Sequence, residues 1–219
     1  MRSCAILIPS LNRPQNLEFV LRNIEEATPE PHRIYFCVSD DESKEILDGK
    51  GHVVLDDSGC GDRRYVTRMN KLVKLLDDEE SIFFGSDDVV HHPGWLTTAW
   101  AVMAQGPSVV VVNDRRNPNG TQAVIRREYI DLAVFDSPGD AFHHGYQHNF
   151  ADTEQFFTAY KREQYARAMD SVVEHLHPIF QSPNARPWDD TYTNAQRGWD
   201  HDIALFNERA AEIDRVIGP

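Results

Sequence analysis

Two adjacent carboxylates, Asp87 and Asp88, follow the apolar run Ser81-Ile82-Phe83-Phe84 and the pair Gly85-Ser86. A buried strand that ends this way directs negative charge out of the end of a sheet. Carboxylate oxygens there suit a hard divalent cation, and such a cation suits a diphosphate. The same residues would also serve as a solvated loop or a helix N-cap. Two more apolar runs close on polar clusters. Ile34-Tyr35-Phe36-Cys37-Val38 ends in Ser39-Asp40-Asp41, and Val53-Val54-Leu55 ends in Asp56-Asp57-Ser58. Asp40 and Asp41 fit an Asx turn as well as a binding site. Arg63, Arg64 and Arg68 precede the first aspartate pair, and guanidinium forks suit phosphate, although arginines on a helix face are commonly solvated. Asp152 and Glu154 open a helical segment, where acidic residues favour the first turn and where a carboxylate can also act as a general base. His175 and His177 are spaced to share one strand face. The neighbours His91 and His92 lack a third ligand at zinc spacing. His143, His144 and His148 form a further polar cluster.

These residues need elements to carry them. Residues 4–8 form a continuous apolar run, as in a strand covered on both faces. Pro9-Ser10-Leu11-Asn12-Arg13-Pro14 is turn chemistry, and Leu17, Val20, Leu21 and Ile24 then keep helical spacing until Pro29 and Pro31. Strands are expected at 34–38 and 53–55, a helix over 65–76 and a strand at 81–84. Strands alternating with helices imply an α/β fold, a mostly parallel central sheet with helices on both faces. Ligands of such sheets bind at the carboxyl ends of the strands, where the Ser and Asp clusters fall. The second half is less regular. It reads as a helix at 95–103, strands at 108–113 and 121–125, a helix over 154–168, a strand at 171–178, a loop over 181–197 and a helix over 200–217.

Composition narrows the class. A chain of 219 residues buries a core without disulfide staples, and its three cysteines have no metal-type spacing. Cys4 and Cys37 sit in apolar runs as small core residues, which suggests a reducing compartment. The net charge of −13, from 35 acidic and 22 basic residues, disfavours nucleic acid without excluding a local basic patch. No apolar run has the length of a signal peptide core or a membrane span, so a cytoplasmic protein is expected.

The order of motifs resembles the GT-A type nucleotide-sugar glycosyltransferases, in particular the family 2 pattern. Ala5-Ile6-Leu7-Ile8-Pro9-Ser10-Leu11-Asn12-Arg13 is similar to that family's first strand and Pro-Thr/Ser-x-Asn-Arg turn. Cys37-Val38-Ser39-Asp40-Asp41-Glu42-Ser43 is similar to its second strand end. Phe83-Phe84-Gly85-Ser86-Asp87-Asp88, followed by Pro93-Gly94-Trp95, is similar to its metal-binding strand end. The likeness is closest over about residues 4–100. Ser86 stands where the family often has a third carboxylate, and Ala151-Asp152 stands for the usual Glu-Asp pair. The Gln-x-x-Arg-Trp motif of processive synthases is absent, which favours single addition.

The resemblance implies a GT-A fold throughout 1–219, with a nucleotide-sugar half to about residue 90 and an acceptor half from about 91. It implies an inverting transfer from a nucleoside-diphosphate sugar, with UDP as the expected nucleotide, aided by Mn²⁺ or Mg²⁺. Asp88 would bind the cation with His177, or with His175 in its place. Asp87 would meet the ribose, and Asp40, with Asp41 second, would accept from the base. Pro9, Ser10, Arg13 and Arg68 would line the nucleotide pocket, and Asp152 would be the base, with Glu154 as alternative. The acceptor stays open among a glycan, a lipid-linked sugar, a protein and a modified nucleobase. Two rival readings are a sugar-phosphate nucleotidylyltransferase, disfavoured by the lack of glycine after the first strand, and a nucleotide-sugar-binding protein without turnover.

Overall fold

Cys4–Ser10 forms strand β1, and Pro14–Ala27 forms helix α1 with Pro14 in its first turn, where a missing N–H costs nothing. The computed structural model describes residues 3–60, 64–181 and 183–218. β2 (His32–Val38), α2 (Asp41–Leu47), β3 (Val53–Asp56), α3 (Tyr65–Val73), β4 (Ser81–Phe84) and β5 (Val89–His91) complete the first half. The second half runs α4 (Trp95–Met103), β6 (Val109–Asn113), β7 (Ala123–Arg126), a short α5 (Ile130–Ala133), α6 (Ala151–Lys161), β8 (Tyr165–His175), α7 (Asp190–Arg197) and α8 (Trp199–Ile217).

One sheet of eight strands runs β3-β2-β1-β4-β7-β6-β8-β5. The pairings β1–β2, β1–β4, β2–β3 and β6–β8 are parallel, while β4–β7, β6–β7 and β5–β8 are antiparallel. The sheet is therefore mixed, with the parallel run of β3, β2, β1 and β4 expected from the sequence and a further parallel pair, β6–β8, in the second half. Side-chain alternation splits the core into two layers. Cys4, Ile6 and Ile8 pack with α1 and α4 on one face. Ala5 and Leu7 pack with α3 and α6 on the other. Full burial on both faces explains why β1 is apolar at successive positions rather than alternate ones. Cys4 and Cys37 are buried and free, as their apolar context predicts.

Four segments depart from the sequence reading. The expected helix over 154–168 ends at Lys161, Glu163 takes a positive φ of 57°, and Tyr165 starts β8. The aromatic spacing runs on to Tyr165 because that strand residue packs back against Phe156 of the helix. The expected loop over 181–197 contains α7, capped by Asp189, which accepts from Thr191 N and Tyr192 N. β5 and α2 were not expected. β5 is a three-residue edge strand, covered by Asn23 of α1, which bonds both the N–H and the C=O of His91.

The path of β8 fixes a key position. Its first half follows β6 until a register irregularity at Val112/Asn113, and its second half pairs with β5. The register sets His175 opposite Val89, and Leu176 N donates to Asp88 O at 2.8 Å. A bulge there re-aims the strand end toward the carboxylates. Among the described residues, no helix is long and apolar enough to cross a membrane.

Candidate functional site

The parallel register brings the ends of β1, β2, β3 and β4 to one edge of the sheet. Gly85 extends β4 against β1, its N–H bonding Leu7 O at 3.0 Å. A Cβ at Gly85 would lie 3.0 Å from the Phe83 ring and 3.3 Å from Leu7 O, so a side chain there would push the aspartate pair off the edge.

Asp87 and Asp88 diverge from that turn. Asp87 faces the turn after β1, accepting from the Ser10 hydroxyl at 2.7 Å and from Arg13 Nη1 at 3.0 Å. Burial raises its carboxyl to about 6, with the Arg13 charge opposing that rise. Asp88 Oδ1 accepts from the Ser86 hydroxyl at 2.5 Å, and Oδ2 accepts from the Tyr192 hydroxyl at 2.8 Å. His175 Nε2 lies 3.5 Å from that same Oδ2. Burial works to raise the Asp88 pKa, but His175, Ser86 and Arg13 outweigh it and hold the carboxyl well below the ordinary carboxylate range. For His175, burial acts downward and the Asp88 charge more than offsets it, so the imidazolium is favoured. Ser86, the residue that replaces a carboxylate, thus orients Asp88.

The other sequence candidates separate into those at this edge and those committed elsewhere. Pro9 and Ser10 end β1, and Arg13 is buried at 5% exposure. Arg68 lies beneath them, donating from Nη1 to Ser10 O at 3.2 Å, with Nε 3.4 Å from Asp57. Its Nη2 has no hydrogen-bond partner among the described residues. Asp40 caps α2, its two oxygens accepting from Ser43 N and the Ser43 hydroxyl. Asp41 is exposed and pairs with Lys44. His177 follows β8, and its Nδ1 accepts from Ile179 N. The His177 ring packs 4.4 Å from Tyr192 and 5.5 Å from His175, centroid to centroid. Burial lowers it to about 4. Of the two histidines, His175 is the one within 3.5 Å of the Asp88 carboxylate. Arg63 lies outside the described residues.

Asp152 sits in the first turn of α6, directly after Phe150 in the left-handed region and the buried Ala151. Ala151 packs into the core layer under the sheet. Asp152 Oδ1 accepts from Thr153 N at 2.8 Å. The side chain keeps a solvent-facing edge, yet the protein around it raises its carboxyl to about 6. Burial first, then the charges of Asp152 and Asp88, raise the Tyr65 hydroxyl well above its ordinary value, and Asp152 also favours the charged form of His175, so both carboxylates bear on the same side chains. The His148 ring lies 5.4 Å from Tyr65, and burial lowers it to about 4.

Glu154 points the other way. It is 2% exposed and accepts from the Tyr146 hydroxyl at 2.7 Å and from Arg209 Nε and Nη2 at 2.6 and 2.9 Å. Arg209 also bridges to Asp136 at 3.0 Å. This buried carboxylate ties α6 to α8. Arg209→Ala leaves the buried Glu154 without its cation, and a loss of about 3–5 kcal/mol in urea unfolding is expected. A loss under about 1 kcal/mol would contradict this role.

Sequence reasoning missed Tyr192, Asp189 and Tyr65. Tyr192 and Asp189 fall in the stretch read as a loop, and the one available signal was Asp189 as an N-cap before Thr191. Tyr65 was visible only as the start of a helix.

A sequence model of the family described as glycosyl transferase family 2 matches residues 5–168. No curated protein sequence matches the chain. Among solved structures, glucosyl-3-phosphoglycerate synthase from Mycobacterium tuberculosis, in complex with Mn²⁺, UDP and phosphoglyceric acid, is similar at a TM-score of 0.65 and 14% identity. That match covers 95% of this chain and 78% of the other. A mannosyltransferase from Pyrobaculum calidifontis, in complex with GDP-Man and Mn²⁺, aligns at 0.62 and 13% identity over 98% and 73%. S. aureus TarS, residues 1–349, aligns at 0.64 and 12% identity over 81% and 61%. These likenesses show the GT-A fold.

Proposed function

Because the chain belongs to glycosyl transferase family 2, we propose that it moves one sugar from a nucleoside-diphosphate sugar, with UDP as the nucleotide, to an acceptor hydroxyl with inversion. The observation that carries this reading is the pairing of Asp88 with His175 at the carboxyl edge of the sheet.

Residues to about 90 hold the donor, and those after it hold the acceptor. Arg13 and Ser10 fix Asp87 at the ribose side of the turn. Arg68 supports that turn from below and keeps an unused N–H at the pocket floor. Asp40 is held still by Ser43, and each of its oxygens keeps a lone pair for a base N–H. Asp41, exposed and paired, is left out of the site.

Among the described residues, no three His, Cys, Asp or Glu side chains converge as a ready-made metal centre. One carboxylate and one imidazole instead suit a Mn²⁺ or Mg²⁺ ion completed by phosphate oxygens. Asp88 and His175 would hold it, and it would neutralise the charge of the departing diphosphate. Asp152 takes the proton from the acceptor oxygen as that oxygen attacks the anomeric carbon. Its second oxygen, Oδ2, makes no hydrogen bond to a described residue that would compete for that proton.

The test is thermal unfolding with UDP, Mn²⁺ and both. UDP near 100-fold above its Kd should raise Tm by about 5–10 °C when Mn²⁺ is present. The same rise without metal would contradict the role given to Asp88.

A further inference from the structure

Helix α7 lies across the edge that the donor would need. Asp189, its cap, accepts from Arg13 Nε at 2.7 Å and from Arg13 Nη2 at 2.8 Å. That is the two-pronged fork with which arginine takes a phosphate. Tyr192 donates to Asp88 Oδ2, the oxygen that also faces His175. The Arg13 guanidinium stacks 4.0 Å from the centre of the Tyr192 ring.

Outside these contacts the segment is held by Asn149 Nδ2, which donates to Ala195 O at 2.8 Å, and by the His177 ring against Tyr192. Within α7 only Tyr192 and Ala195 are buried. A polar cavity of about 390 Å³ is lined by Leu11, Asn12 and Gln15 on one side and by Thr193, Asn194 and Arg197 on the other. A segment with few apolar contacts opens at low free energy. Residues 189–197 thus combine a small packed contact with bonds to the site's own ligands, Arg13 and Asp88.

We propose that residues 189–197 are an internal stand-in for the donor. The Asp189 carboxylate holds Arg13 where a diphosphate would bind, and the Tyr192 hydroxyl holds Asp88 where the cation would bind. The donor–cation pair and this segment therefore exclude one another, so the protein is self-occluded until the donor displaces its own chain. The inference rests on the nucleotide-sugar reading above. A binding-competent state populated only in part weakens the apparent affinity by that fraction.

Two conservative variants test it. Asp189→Asn removes the anion and keeps a residue that caps helices as well. Tyr192→Phe keeps the ring on Arg13 and His177 and removes only the hydroxyl. Titration calorimetry with Mn²⁺ alone, and with UDP or GDP in the presence of Mn²⁺, should show each variant binding about three- to tenfold more tightly than wild type. Amide exchange over residues 189–197 of the wild type should speed up when Mn²⁺ and UDP are added. Weaker or unchanged binding in both variants, or slower exchange, overturns the proposal and makes the segment a clamp or a bystander. If wild type and variants all fail to bind either nucleotide, the nucleotide-sugar reading falls and takes this inference with it.

Discussion

Asp152→Asn should lower the release of nucleoside diphosphate from the donor by about 10²–10⁴-fold, the range over which a positioned base acts. Asparagine has nearly the same shape and keeps the bond from Thr153 N, so donor binding should not change. Loss of turnover with intact UDP and Mn²⁺ affinity is the expected pair of results. Turnover close to wild type would end the assignment of Asp152 as base.

Burial of Asp152 adds a pH dependence of known sign. Its carboxyl is raised to about 6, so the base is ionised at neutral pH and protonated in mild acid. The wild-type rate should rise with pH through about 6 and then level off. Stability should move the opposite way. The folded state holds this proton more tightly than the unfolded chain, whose carboxyl titrates near its ordinary value. Between about pH 4 and 6 the folded state binds more protons, so the stability contributed by this group is fully present below that window and is lost as pH rises through it. Asp152→Asn removes the buried charge, so its Tm should exceed that of wild type at pH 7.5 and match it at pH 4. A carboxylate raised in this way is a local cost to the fold.

How much of this was readable beforehand depended on the kind of residue. Asp87 and Asp88 were legible because a β-strand of four buried residues must deliver the next polar residues to the sheet edge. Arg13 was legible through the turn that carries it. The partner of Asp88 was harder. Period-two spacing selected His175 and His177 together, and only the pairing of β8 with β5 decides that His175 reaches the carboxylate. The roles of Asp40 and Glu154 turned on contacts that no spacing encodes. Asp40 meets Ser43 because a helix begins there, and Glu154 meets Arg209 from a helix 55 residues later in the chain. Tyr192 was invisible because α7 is polar and short, and its placement comes from the site rather than from an apolar pattern. Local pattern reported what local sterics determine. Long-range charge pairing remained for the folded chain to show.

Asp88→Ala should be as damaging as the loss of the base, by another route. The variant removes the acceptor shared by Ser86, Tyr192 and His175 in a buried place. Leaving buried donors unmatched costs about 1–3 kcal/mol, so the fold should survive with a lower urea midpoint. Binding should change more. With its one carboxylate gone from the cation pair, the protein should lose the Mn²⁺-dependent rise in Tm produced by UDP. Turnover should fall by about 10³-fold, since charge neutralisation at a leaving diphosphate supplies several kcal/mol. The two variants therefore separate the functions of the two carboxylates. Asp152→Asn should keep the metal-dependent nucleotide response and lose turnover, whereas Asp88→Ala should lose both. Retention of the metal-dependent response in Asp88→Ala would move the cation away from Asp88. In that case His175 and the carboxylate beside it would be an ordinary buried ion pair, and Tyr192 would be guarding nothing.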